Sequence, residues 1–419
     1  MPKQKQDIFV PTGPAIAFSQ PNQKWNILKG VTVASGQGAA IESDSFDGIT
    51  LVNKGSILAS FGSPGDSGVY FSSNDATIEN RATGYISGRE GVYLDGSAST
   101  FVLNEGGIFG SVIGVDANDA DALTVENHGV VSGIETAVIV TNSGGQAGPL
   151  IENFGAMKSQ NETITLEVPG ATATIKNKPG GLIENTGDDS AIVVDGGLLK
   201  LNNKGTIIGG IDTDFGPDQG DHVITNSGQM LVKGEVSAIA TGSGDDTVTN
   251  KGTITIDEAI NAVRVGDGDD TVTNEGTING SVNLGDSNDV YKNKGGKVDG
   301  RIDPGDGNDK LVLGNSKDRI EFDNELNGAT NVNRVKNFES GKDKFFLEEA
   351  EFTGLTLGTL QKSEFTRGID AKGDDPQLIY DKPNGLLWFY DGAGGNGKVL
   401  FAELDDDTKL KHDDFTVYA

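Results

Sequence analysis

Residues 241–257 read TGSGDDTVTNKGTITID and residues 265–281 read VGDGDDTVTNEGTINGS, and the pattern returns as LGDSNDVYKNKGGKV over 284–298 and PGDGNDKLVLG over 304–314. Four times, a glycine-flanked acidic pentad (242–246, 266–270, 285–289 and 305–309) runs straight into a short β-prone segment. Glycine, aspartate and asparagine tolerate the left-handed backbone of a tight loop, and alternating Thr and Val suits a strand with one buried face. A loop and a strand recurring at a fixed interval predict stacked coils.

A second repeat extends that prediction upstream. An asparagine, in most copies within Asn-x-Gly, can be followed through Asn53, Asn80, Asn104, Asn127, Asn153, Asn177, Asn203, Asn226, Asn250, Asn274 and Asn293, at intervals of 19 to 27 residues that average 24. An apolar alternation precedes each asparagine, as in LTVEN, ATIKN and DTVTN, and a second short strand follows the glycine, as in GVVSG and GTIIGG. A period near 24 with two or three strands per unit fits a right-handed parallel β-helix, an all-β fold in which each coil buries its inward face only against its neighbours. In register, the asparagine amides would hydrogen-bond along an internal ladder, which makes them scaffold rather than ligands.

The pentads end four residues before Asn250, Asn274 and Asn293, so they occupy one corner of consecutive coils. Coils stack about 4.8 Å apart. Like charges that close repel by about 4 kcal/mol per pair at an effective dielectric near 20, and a cation between the loops reverses the sign. Carboxylates and loop carbonyls are hard oxygen donors, which suit calcium. The candidate ligand set is Asp246, Asp270, Asp289 and Asp309, helped by Asp245, Asp267, Asp269, Asp286 and Asp306, by Asn288 and Asn308, and by the backbone around Gly242, Gly266, Gly285 and Gly305. The pentad intervals of 24, 19 and 20 residues predict a coil that shortens toward the C-terminus. Earlier acidic corners, around Asp116 to Asp121, at Asp188 and Asp189, and at Asp218 and Asp221, read as ordinary polar turns.

These residues resemble the repeats-in-toxin family of secreted calcium-binding proteins, whose nonapeptide G-G-x-G-x-D-x-U-x, with U a large apolar residue, forms a parallel β-roll. Gly266, Gly268, Asp270 and Val272 match it, as do Gly242, Gly244, Asp246 and Val248, and Gly305, Gly307, Asp309 and Leu311. The third copy has Gly285, Ser287, Asp289 and Tyr291, and the first glycine of the nonapeptide is replaced in all four, by Thr241, Val265, Leu284 and Pro304. Residues 315–419 resemble the region that follows such repeats, on Val335, Phe338, Gly341, Asp343, Phe345 and Leu347 and then on Tyr380, Asp381, Gly385, Leu386, Tyr390, Asp391, Gly394, Val399, Phe401 and Leu404. The resemblance implies a β-rich cap that carries an uncleaved signal for a type I secretion channel, and a bacterial protein placed outside the cell or on its surface.

The expected organisation is an irregular lead-in over 1–28, broken by Pro11, Pro14 and Pro21 with Trp25 covering the first coil, then β-helix coils over 29–240, calcium-binding coils over 241–314 and the cap over 315–419. Composition agrees with thin coils: 61 of 419 residues are glycine and aromatics make up 6%. A net charge of −29 repels nucleic acid and anionic membrane, and the sequence has no apolar run long enough for membrane insertion. There is no cysteine for a disulfide or a thiolate site. The three histidines, His128, His222 and His412, lie far apart, and no zinc-protease, serine-hydrolase or phosphate-loop motif occurs. The expectation is a binding module for adhesion, matrix or interaction, with an extracellular polysaccharide or a cell-surface protein as partner. The enzymatic alternative is a polyuronate lyase or epimerase, for which Arg264, Lys292 and Lys294 are the basic candidates.

Overall fold

The computed structural model describes residues 2–96, 99–120, 122–142, 147–257, 261–392 and 397–419, without the side chains of 215–219. The chain forms two compact units, Met1–Val236 and Ser237–Ala419. Both are built from parallel coils, so the fold is the all-β solenoid that the 24-residue period predicts.

In the first unit a coil consists of three strands, as in Thr124–Asn127, Val130–Ser132 and Thr136–Thr141. The next coil repeats them at Leu150–Asn153, Ala156–Ser159 and Ile164–Glu167, all paired in parallel with the coil before. One sheet collects the strands that end on the ladder asparagines; the other two strands of each coil build the second. Register is held by the inward residues. Leu51, Ile78, Val102 and Val125 oppose one another in turn and continue to Ile224, and none of these five is more than 1% exposed. Each such side chain contributes about 1.5–3 kcal/mol of burial that an isolated coil could not realise.

Residues before 29 already belong to this stack. Lys3–Gln4, Ile8–Val10 and Ile16–Ala17 pair in parallel with Lys24–Ile27, Thr32–Ser35 and Ile41–Asp44. The expected irregular lead-in is therefore a coil whose three prolines all fall between strands, where no ladder hydrogen bond is needed. Trp25, expected to cover the first coil, lies instead inside the strand Lys24–Ile27, which has Lys3–Gln4 on one side and Thr50–Asn53 on the other, and opposes Leu51.

The second unit begins with three strands per coil, Thr247–Asn250, Thr253–Ile256 and Asn261–Arg264. Val248 opposes Val272, then Tyr291, then Leu311, so the coil shortens as its spacing predicts. Leu311 then opposes Val335, 24 residues on, and from Lys310–Val312 the coils carry two strands. Stacking does not stop at residue 315. Arg319–Phe322 supports Lys344–Glu348, which supports Phe415–Tyr418, while Asn333–Val335 supports the strand Val399–Leu404. The intervening chain forms an antiparallel hairpin, Gln377–Asp381 with Leu386–Tyr390, turned at Gly385 with φ of 71°. The late rise in aromatics fills this part of the core: Phe338 stacks on Phe345 at 4.5 Å and Phe345 on Phe415 at 5.3 Å.

Candidate functional site

The asparagine ladder forms and fixes the corner. In the first unit each Nδ2 donates to the Oδ1 of the next coil's asparagine, from Asn53 to Asn80 at 2.8 Å and onward to Asn226, and in the second unit Asn250 donates to Asn274 at 3.0 Å. A glycine stands two residues after every ladder asparagine except Asn80 and Asn177, and the column is crowded at Gly129, where a Cβ would lie 1.9 Å from the Gly106 carbonyl oxygen. The amide-to-amide ladder ends at Asn274, whose Nδ2 donates to the Lys297 carbonyl oxygen, and Asn293 Nδ2 donates to Ser316 Oγ and to Asp318 Oδ1.

The pentads lie directly over one another. Ser243 bridges in parallel to Asp267, Asp267 to Asp286, and Asp286 to Asp306. The leading glycines Gly242, Gly266, Gly285 and Gly305 all have positive φ, between 79° and 99°. A Cβ on Gly266, Gly285 or Gly305 would meet the carbonyl oxygen of the glycine before it within 1.9 Å, so no other residue fits this column. The second glycine column, Gly244, Gly268 and Gly307, admits Ser287 at a φ of 95°.

Within each pentad the acidic residues divide by parity. Asp246, Asp270, Asp289 and Asp309 share the inward parity of the following strand and are each 1% exposed. Asp245, Asp267, Asp269, Asp286, Asp306, Asn288 and Asn308 are exposed. The buried row makes a ladder of its own. The Asp246 N–H donates to Asp270 Oδ1 at 2.6 Å, the Asp270 N–H to Asp289 Oδ1 at 2.7 Å, and the Asp289 N–H to Asp309 Oδ1 at 2.8 Å. Asn333, which sequence reasoning missed, closes the row by accepting the Asp309 N–H at 3.0 Å. A parallel exposed ladder runs from Asp245 through Asp269 and Asn288 to Asn308.

Asp270, Asp289 and Asp309 each use one carboxylate oxygen for the backbone. The other, Oδ2 of Asp270, Asp289 and Asp309, is buried without a hydrogen-bond partner. Burial, reinforced by the charges of Asp309 and Asp270 and opposed by the Asp270 N–H, pushes Asp289 up to about 9. Asp270 and Asp309 are pushed up to about 7, again mainly by burial. A second acidic group abuts the end of the row, where Asp303, Asp323 and Glu321 line a cavity of about 10 Å³ with Asn331 and Asn333. Burial and the Asp323 charge push Asp303 up to about 7.

The donor set fits a hard cation in chemistry alone: a column of buried carboxylate oxygens that lack donors. Among the described residues, no three His, Cys, Asp or Glu side chains converge as a ligand cage. An ion here would therefore take backbone carbonyls together with the Asp270, Asp289 or Asp309 carboxylate. The sequence signal for the missed members was an acid or amide two residues before an inward apolar residue, which Asn333 shares with Asp318 and Asp343. Asp318 and Asp343 are both fully buried, and the Asp318 N–H donates to Asp343 Oδ1 at 3.0 Å.

The remaining candidates are not assembled. Arg264 ends a strand of the second sheet, whereas Lys292 lies on the asparagine sheet and Lys294 follows it. His128 pairs with Glu126 at 2.7 Å and stacks on Phe154, His222 is buried with Nδ1 accepting the Leu199 N–H, and His412 Nδ1 lies 2.9 Å from the Leu360 carbonyl oxygen. Asp188, Asp189 and Asp221 are exposed in turns or loops, Asp121 and Gly394 lie outside the described residues, and so does the Asp218 side chain. Asp116, read as part of a turn, stands instead inside the strand Gly107–Asn118. No helix among the described residues is long and apolar enough to cross a membrane. No protein-family model matches this chain, and no curated protein matches it.

Proposed function

We propose that the acidic corner binds calcium between successive coils, and that the chain is a secreted solenoid of the repeats-in-toxin kind, acting outside or on the surface of a bacterial cell as an adhesion, matrix or interaction module. The observation that carries this reading is the row of Asp270, Asp289 and Asp309, each 1% exposed and each with one buried oxygen lacking a donor. Stacked carboxylates without a cation hold their protons to unusually high pH or repel one another. A divalent ion would answer both problems by taking the oxygens that lack a donor.

Calcium then couples folding to location. Where calcium is scarce the acidic coils are loosened by repulsion, and where it is abundant each filled site adds RT ln(1 + [Ca]/Kd) to stability. The likeness of residues 315–419 to an export region supports passage through a type I channel before that stiffening. Calorimetric titration of metal-free chain at pH 8 tests the site. Saturable binding is expected at about 10⁻⁴ to 10⁻³ M, and Asp289→Asn, which alters both inter-coil gaps that it borders, should remove about half or more of the heat. An absence of binding up to about 10 mM calcium, ten times the weak end of that range, would reject the reading, as would an isotherm unchanged by Asp289→Asn.

A further inference from the structure

We infer that the outer face of the second sheet in the first unit is a binding platform for a glycan of amino sugars bearing free ammonium groups. It is independent of the acidic corner described above.

The platform follows from register. On this face Glu42 opposes Tyr70, Tyr70 opposes Tyr93, and Tyr93 opposes Asp116, so two aromatic rings on neighbouring coils are flanked at both ends by carboxylates. The rings lie 5.5 Å apart, inclined at 42°, and both are partly open to solvent. A pyranose presents an apolar C–H face that packs on such rings, and an ammonium group is drawn to their negative faces.

The carboxylates around the rings are held in place. Asp95 Oδ1 accepts from Asn118 Nδ2 at 3.0 Å, Asn118 Oδ1 accepts from Thr141 Oγ1 at 3.0 Å, and Asp95 Oδ2 lies 3.4 Å from the Tyr70 hydroxyl. Glu90, 4% exposed, accepts from Ser67 Oγ at 3.0 Å and pairs with Arg89. Asp116 is different. No hydrogen bond from a described residue reaches its carboxylate, and burial together with the Glu90 charge pushes it up to about 6. A half-buried carboxylate with no donor, beside an aromatic pair, is a place where a ligand donor belongs.

Charge selects the ligand. Arg89 pairs with Glu90 and its charge also reaches Asp116, while the ion pairs among the described residues give Glu42, Asp44 and Asp95 no cation, so carboxylates outnumber cations on this face. The local field therefore repels a polyuronate and favours a cationic sugar.

The test is calorimetric titration of the full chain, in calcium-containing buffer, with three oligosaccharides of equal length: glucosamine with free amines, its N-acetylated counterpart, and galacturonate. The glucosamine oligomer is expected to bind, the N-acetylated one about tenfold or more weaker, and the galacturonate oligomer not at all. Tyr93→Ala, which keeps every charge, and the isosteric Asp116→Asn should each weaken glucosamine binding about tenfold, with melting temperature showing that the coils persist. Asp188→Asn, a charge removed from an exposed turn of the same unit, should leave it unchanged. Failure of the glucosamine oligomer to bind, equal binding of the acetylated form, or binding unaffected by both Tyr93→Ala and Asp116→Asn would overturn the proposal; the last outcome would mean general attraction to an acidic protein.

Discussion

Ser287 holds a φ of 95°, in the positive range that its counterparts Gly244, Gly268 and Gly307 occupy, at 117° to 142°, without a side chain. A non-glycine residue in such a conformation costs about 1–3 kcal/mol. Ser287→Gly should therefore stabilise the chain by about 1 kcal/mol in urea unfolding, and an unchanged midpoint would show that the loop relaxes around the serine. Most of the residue-level design was legible in the sequence, because glycine columns and acid pairs recur in fixed order. Which member of each pair is buried could also have been read. Asp246, Val248 and Asn250 share one parity, and the strand's period of two carries all three inward together. The donorless Oδ2 atoms were not legible, since they depend on the backbone N–H of the preceding coil taking the other oxygen.

At the level of the element, the ladder and the glycines beside it set the corner that the pentads occupy. Asn127 accepts from Asn104 at 2.8 Å and donates to Asn153 at 2.8 Å and to the Ala156 carbonyl at 3.0 Å. Removing it leaves buried amide and carbonyl groups unsatisfied, so Asn127→Ala should cost about 1–3 kcal/mol. A lower melting temperature with the same calcium affinity is the expected pair of results; equal melting would mean that water replaces the amide. The 24-residue period made this element legible from the sequence alone. The coil before residue 29 was hidden because Pro11, Pro14 and Pro21 look like interruption, although each falls between strands. Beyond residue 315 the asparagines stop marking the coils, and what recurs instead is a buried aspartate just before a strand, Asp318 and Asp343.

For the whole molecule, a net charge of −29 sets the terms on which the acidic corner can exist. Asp270, Asp289 and Asp309 are pushed up to about 7, 9 and 7, above the values of an unfolded chain. The folded state therefore holds protons that the unfolded state has released, and without calcium stability must fall as pH rises from about 4 through the folded values. On the proposed reading calcium replaces those protons, so its binding should strengthen over the same range. The decisive measurement is the melting temperature between pH 5 and pH 9, taken once with chelator and once with millimolar calcium. The account predicts a fall with rising pH in chelator that calcium abolishes; two superimposable curves would contradict it.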